Sequence, residues 1–211
     1  MTSKFSPRNP VGRRAKENPS EGQQTIDMRP LHAFRLENKI PGNLHTLFVG
    51  ISPATRSAKI GHYYGGRGNY FWKLLHASGI WPIPIGPEGD DKVVEKGFGF
   101  TDLVRRPASS SSHLTRADFG DSKHRLREIV TRLRPKTVVF VGKRAVAVFA
   151  GKASTRIHYG PQEWSIEESA VFVLPSTSAA SLGHAPYETK LGCFRELREF
   201  ISPYYEVTRK S

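Results

Sequence analysis

Apolar positions along this chain fall into two alternating kinds of run. Short unbroken stretches, TLFVG (Thr46–Gly50), KTVVFVG (136–142) and AVFVLP (170–175), end in glycine or proline and read as strands buried on both faces. GFGFTDLV (97–104) is a further apolar segment, interrupted by Asp102. Between them lie stretches with the spacing of amphipathic helices. In NYFWKLLHASGI (69–80), Phe71, Leu74, Leu75 and Ser78 share one face and Gly79 supplies a stop. In the stretch 117–135, Leu126, Ile129, Val130 and Leu133 turn inward and the helix ends before Pro135. KRAVAVFAG (143–151) and ETKLGCFRELREFIS (188–202) complete the set. Strands alternating with helices predict an α/β fold, a parallel sheet covered on both faces. Residues 1–30 behave differently. They are polar, basic and dotted with proline and glycine, without a period of 2 or 3.6, and read as a disordered arm ahead of one domain, 31–211.

Charge adds a partner class. Lys and Arg number 32 against 19 Asp and Glu, a formal charge of +13, which favours a polyanion such as nucleic acid through counterion release. Solubility alone, or a basic arm with no fixed partner, would give the same excess. Cys193 is the single cysteine, so no intramolecular disulfide and no cysteine-rich metal or iron–sulfur site can form. No apolar run of about 18 residues and no secretory h-region occurs in the sequence. The expectation is a cytoplasmic protein, with nothing that requires more than a monomer, and no membrane partner.

Ligands of parallel-sheet folds bind beyond the carboxyl ends of the strands. Three polar segments fall there: the one after Gly50, the one around Asp102 and the one after Pro175. The first lacks G-x-G-x-x-G after its strand and lacks the lysine–serine ending of a P-loop, so a phosphate cradle of that kind is excluded. Its glycines flank aromatic residues instead. Tyr63 and Tyr64 offer ring faces to a planar ligand; equally, one could pack under the loop and the other lie on the surface.

LFVGISP, then GHYYGGRGNYFWKLL, GFTDLVRRP and VLPSTSAAS resemble, in order and spacing over 46–200, the mismatch-specific uracil-DNA and thymine-DNA glycosylase family. Members show G-I-N-P-G, then G-[HF]-x-[YF]-x-x-P-x-N-x-F-W-K, and later P-S-S-S-A-R or N-P-S-G-L-S. The resemblance implies a three-layer α/β/α sandwich with a central, mainly parallel sheet. It implies an enzyme that flips a base from duplex DNA and cleaves its N-glycosidic bond, leaving an abasic site, without metal or cofactor. Tyr64 then matches the residue that stacks on the flipped base. The main chain at Ile51 and the side chains near Gly61 and His62 match the pocket walls. His62 would hydrogen-bond the base or merely shape the loop. Asn69 matches the asparagine before FWK, expected to hold the loop. Ser57 falls at the wall near the pyrimidine C5, and resembles the uracil-preferring branch. Ser176, Thr177 and Ser178 match the segment that grips phosphate, and Ala179, Ala180 and Ser181 continue it.

Two positions depart from the pattern. Ala180 stands where relatives carry a bulky residue that fills the gap left by the flipped base, so either a neighbour such as Leu182 does that work or the enzyme relies on already weakened pairs. Ser52 replaces the asparagine that orients the hydrolytic water. A hydroxyl can hold water but is no base at neutral pH, and it can equally make a local turn contact. Asp102, where relatives carry lysine or asparagine, offers a carboxylate to activate the water. Its mundane alternatives are a helix cap or an ion pair with Arg105 or Arg106. The reading is a repair glycosylase for uracil opposite guanine, with thymine or adducted cytosine as minor substrates. A glycosylase for hypoxanthine or xanthine, and a non-catalytic binder of damaged DNA, are the competing readings. His113, His124 and His158 lack ligand spacing. The arginines of 116–134 lie on a polar helix face, and the serine run before His113 reads as a loop open to solvent or DNA backbone.

Overall fold

The computed structural model describes residues 37–181 and 185–204; the arm at 1–30 and Leu182 lie outside the described residues. One sheet holds five strands: β1 (Thr46–Gly50), β2 (Phe98–Asp102), β3 (Thr137–Val141), β4 (Gly160–Ile166) and β5 (Ser169–Leu174), in the order β2-β1-β3-β5-β4. Every neighbouring pair is parallel except β4, which runs antiparallel to β5. The helices are α1 (Thr55–Ile60), α2 (Phe71–Ala77), α3 (Asp90–Val94), α4 (Ser122–Leu133), α5 (Lys143–Ala150) and α6 (Tyr187–Ile201).

Period-two alternation sends successive strand residues to opposite faces. Phe48, Val139, Phe172 and Leu174 pack with α2 and α6 on one face. Leu47, Val49, Val138, Phe140, Val171 and Val173 pack with α4 and α5 on the other. The result is the three-layer α/β/α sandwich with a mainly parallel sheet that the alternation of elements predicts. The helix over 117–135 begins later, at Ser122, with Leu126, Ile129 and Val130 buried and Leu133 half-buried. It ends at Arg134, which takes a left-handed conformation (φ 43) just before Pro135.

Three short elements escape the pattern of the sequence. In β4 only the end residues are buried, and Pro161, Gln162 and Glu163 mask the alternation. Proline is tolerated there because β4 is an edge. Helix α1 sits inside the stretch read as loop; six residues are too few to display a helical period, and it closes on Gly61 in the left-handed region (φ 75). Helix α3 is shorter still, five residues, but delivers a buried carboxylate, Asp90.

The centre of one layer is aromatic. Phe48 is fully buried, 5.1 Å and edge-on from Phe71, and stacked on Phe98 and Phe100 at 5.9 and 5.7 Å. Phe48→Ala is expected to lower unfolding free energy by about 3–5 kcal/mol, read from urea denaturation at unchanged slope. A loss below about 1 kcal/mol would mean that this cluster is not what holds the layer together.

Candidate active site

The sheet register builds the site. Gly50 closes β1 directly opposite Asp102, which closes β2. The chains then run on side by side: Leu103 N–H donates to Gly50 O (3.0 Å), Val104 N–H to Ile51 O (2.9 Å) and Ala108 N–H to Pro53 O (2.9 Å). Beyond β5 the chain turns through the segment 176–181. Between these edges lies a cavity of about 720 Å³. Of the sequence candidates, Ile51, Ser52, Ser57, Tyr64, Asn69 and Asp102 line it on one side. Ser176, Thr177, Ser178, Ala180 and Ser181 line it on the other, while Gly61, His62 and Ala179 do not line it. The serine run contributes Ser109, Ser110 and Ser111 to the same cavity. A second hollow of about 910 Å³ lies between the end of α2 and α6, remote from the strand ends and from all of these residues.

Asp102 is the unusual group. A Cβ at Gly50 would collide with its Oδ1, so only glycine lets the carboxylate lie against β1. Its Oδ2 is shut off from solvent and has no hydrogen-bond partner among the described residues. Burial pushes its pKa up to about 7. Arg106 does not pair with it: that guanidinium grips Asp118 through two bonds, of 2.7 and 2.8 Å. Asp102 ends a strand, so it caps no helix either. The side chain of Ser52 makes no hydrogen bond to any described residue, which leaves its hydroxyl free at the cavity wall.

Tyr64 is held in a conformation that needs support. Its φ of 54 lies in the left-handed region, costly for a bulky residue. Hydrogen bonds pin both neighbours. Tyr63 N–H donates to Asp90 Oδ2 (3.0 Å), and Tyr63 O accepts from Trp72 Nε1 (2.9 Å). Gly65 N–H donates to Ser57 Oγ (2.9 Å), and Gly65 O accepts from Arg56 Nε (3.0 Å). Between these clamps the Tyr64 ring stacks on Phe71, centroids 3.8 Å apart and nearly parallel. Burial raises the pKa of Tyr64, and its hydroxyl has no partner among the described residues. His62 is drawn away instead, its Nδ1 2.9 Å from Asp90 Oδ1, which also accepts from Lys39 Nζ at 2.7 Å. Asn69 Oδ1 accepts from Phe71 N–H (3.0 Å) and so fixes the start of α2.

Opposite Tyr64, the segment 176–181 is organised from beneath. Lys190 of α6 has no exposed surface, and its Nζ donates to Ser176 O (2.7 Å), Ser178 O (3.3 Å) and Ser181 Oγ (2.8 Å). No carboxylate neutralises it among the described residues, and burial lowers its pKa. Tyr70 N–H donates to Thr177 O (2.9 Å), tying this segment to the loop that carries Tyr64. Sequence reasoning missed both Asp90 and Lys190. Asp90 is one of several charges in the stretch 88–96 and Lys190 one charge on an amphipathic helix; for both a solvated role is the default, and only the fold buries them.

Comparison with known families decides the class. The model of the uracil DNA glycosylase superfamily matches residues 38–199. The chain belongs to that superfamily. Among solved structures, a Methanosarcina acetivorans protein described as a candidate uracil DNA glycosylase shares the fold. The match has a TM-score of 0.53 and 19% identity, over 78% of this chain and 98% of that one. Superfamily membership supports a DNA glycosylase of base excision repair, a hydrolase acting on DNA.

Two outcomes follow for this glycosylase. The folded pKa of Asp102, about 7, lies above its ordinary value of 3.8, so the native state holds a proton that the unfolded chain releases. That contribution is complete below pH 4 and is lost as pH rises through 7. Asp102→Asn removes the loss: the variant should be more stable than wild type at pH 8 by about 2–4 kcal/mol and equal to it near pH 4, by denaturant titration at both. Lys190→Met removes a buried unpaired cation yet orphans three acceptors. Amide exchange across 176–181 should accelerate while global unfolding changes by no more than about 2 kcal/mol, and affinity for uracil-containing duplex should fall about tenfold. Unaltered exchange in that segment would show that Lys190 does not organise it.

Proposed function

We propose that this enzyme removes uracil, mispaired with guanine, from duplex DNA, with Asp102 activating the water. The observation that carries the reading is Asp102, whose Oδ2 is shut off from solvent without a partner among the described residues, lining the same cavity as Tyr64 and Ser52. Stacking hides the glycosidic bond, so the nucleotide must leave the helix first. The extruded ring lies against Tyr64, and Ser57, whose hydroxyl is engaged by Gly65, presents a small wall. The C1′–N1 bond breaks with its electron pair leaving on the uracil anion. Ionised Asp102 stabilises the cationic sugar and takes a proton from water as the water oxygen bonds to C1′. Ser52 orients that water. No lysine lines the cavity among the described residues, which supports hydrolysis by water, a monofunctional reaction, over attack by an amine.

Preference for a mispair follows from what the segment 176–181 offers. Its side chains are hydroxyls and methyls, with Ala180 at the position of the expected wedge. Weakly paired bases cost less to extrude, and a guanine–uracil wobble pair is such a case. Thymine opposite guanine and adducted cytosine would be slower substrates of the same pocket.

Single-turnover cleavage of labelled duplexes carrying U·G, U·A, T·G and hypoxanthine·T tests this, with wild type beside Asp102→Asn. Wild type should cleave U·G fastest, with a rate that rises through about pH 7 as the carboxylate ionises. Asp102→Asn should lower that rate by about 10²–10⁴-fold and abolish the pH dependence while DNA binding persists. Cleavage confined to hypoxanthine would transfer the reading to a purine glycosylase. No cleavage of any duplex would make the protein a binder of damaged DNA.

A further inference from the structure

We propose that Arg67 is a phosphate-gripping residue, which pins the phosphodiester beside the extruded nucleotide against the hydroxyl and N–H groups of Ser176–Ser178. The proposal rests on the reading of the cavity as a DNA site. Among the described residues Arg67 is the only lysine or arginine lining the cavity, and it is exposed. Other cations near the rim are already committed. Arg56 donates to Gly65 O, Arg144 to Ser111 Oγ at 3.2 Å, Arg106 to Asp118, and Lys190 to the carbonyls beneath the opposite segment. Arg67 has no hydrogen bond or ion pair among the described residues.

The backbone presents it. Asn69 N–H donates to Gly66 O (3.1 Å), closing a four-residue turn with Arg67 second and Gly68 third. Gly68 has a φ of 72, the positive value a type II turn requires at that place. Proline is favoured at the second position of such a turn, so arginine here is not explained by turn geometry. Gly68 also brings the turn against the opposite segment: a Cβ there would lie 3.2 Å from the Ala179 Cβ. With Tyr70 N–H bonded to Thr177 O, the two loops form one continuous rim. Arg67 lines the same cavity as the hydroxyl-bearing Ser176, Thr177 and Ser178, a donor set that suits a phosphate, which a guanidinium binds in bidentate fashion. The glycines on either side let the backbone approach a phosphodiester closely, but they give no apolar support to a side chain that must wedge between bases.

The test uses the full chain and a duplex carrying non-cleavable 2′-fluoro-2′-deoxyuridine opposite guanine, with Kd followed across a potassium chloride series. Loss of one phosphate contact should reduce the log–log salt slope by about one in Arg67→Ala and weaken binding at low salt. Arg67→Lys should keep the slope and recover part of the affinity, since charge survives and only the bidentate fork is lost. Placing a neutral methylphosphonate at the contacted linkage should abolish the difference between wild type and Arg67→Ala. An unchanged slope in Arg67→Ala overturns the proposal. So does impairment of the lysine variant equal to that of alanine and confined to duplex over single strand, which would make the side chain a stacking wedge. Cleavage of natural uracil duplex by wild type is scored separately. A changed slope without cleavage would remove the glycosylase reading and leave Arg67 as a DNA contact.

Discussion

The parallel pairing of β1 with β2 is the constraint on which the site depends. Register places Asp102 opposite Gly50, and the missing side chain at Gly50 is what lets a carboxylate lie there at all. Desolvation then follows from the fold. Apolar residues on either side, Phe100 in the strand and Leu103 just beyond it, are almost fully buried, and no cation reaches the carboxylate among the described residues. A shift of one residue in this register would turn Asp102 to the other face and pull Phe98 and Phe100 out of the aromatic cluster around Phe48. The hydrophobic alternation that builds the sheet therefore also fixes the electrostatics of the cavity.

The two walls of the cavity are stiffened by different means. On the Tyr64 side, a buried carboxylate on α3 gathers a lysine, a histidine and a backbone N–H. On the serine side, a buried ammonium on α6 gathers two carbonyls and a hydroxyl. Each loop thus folds around one charge supplied by a helix that itself contributes no residue to the cavity lining. The Tyr70–Thr177 hydrogen bond joins the two systems, so a disturbance of either is felt at the shared rim.

Much of this was legible in the sequence where the signal is periodic or dense. Strands β1, β3 and β5 are unbroken apolar runs, and α4 and α6 carry a full apolar stripe, so the layers could be read directly. Asp102 stood out because a charge interrupts an apolar segment, and Ser52 because it departs from a motif. The missed elements are those whose role is tertiary. Edge strand β4 is polar on the face it shows to water, and α1 is shorter than two helical turns. Asp90 and Lys190 look in sequence like any solvated charge. His62 was expected at the pocket wall; the structure turns its ring to Asp90, a partner that no spacing rule connects to it.

The clamped conformation of Tyr64 has a kinetic meaning. Four hydrogen bonds to its two neighbours, and a stack on a fully buried phenylalanine, hold it through the chain's own residues. The conformational entropy of ordering this loop is therefore spent during folding and is not charged to the encounter with a planar ligand. A ring entering the cavity meets a finished surface, so docking there resembles insertion into a rigid slot rather than closure of a flap.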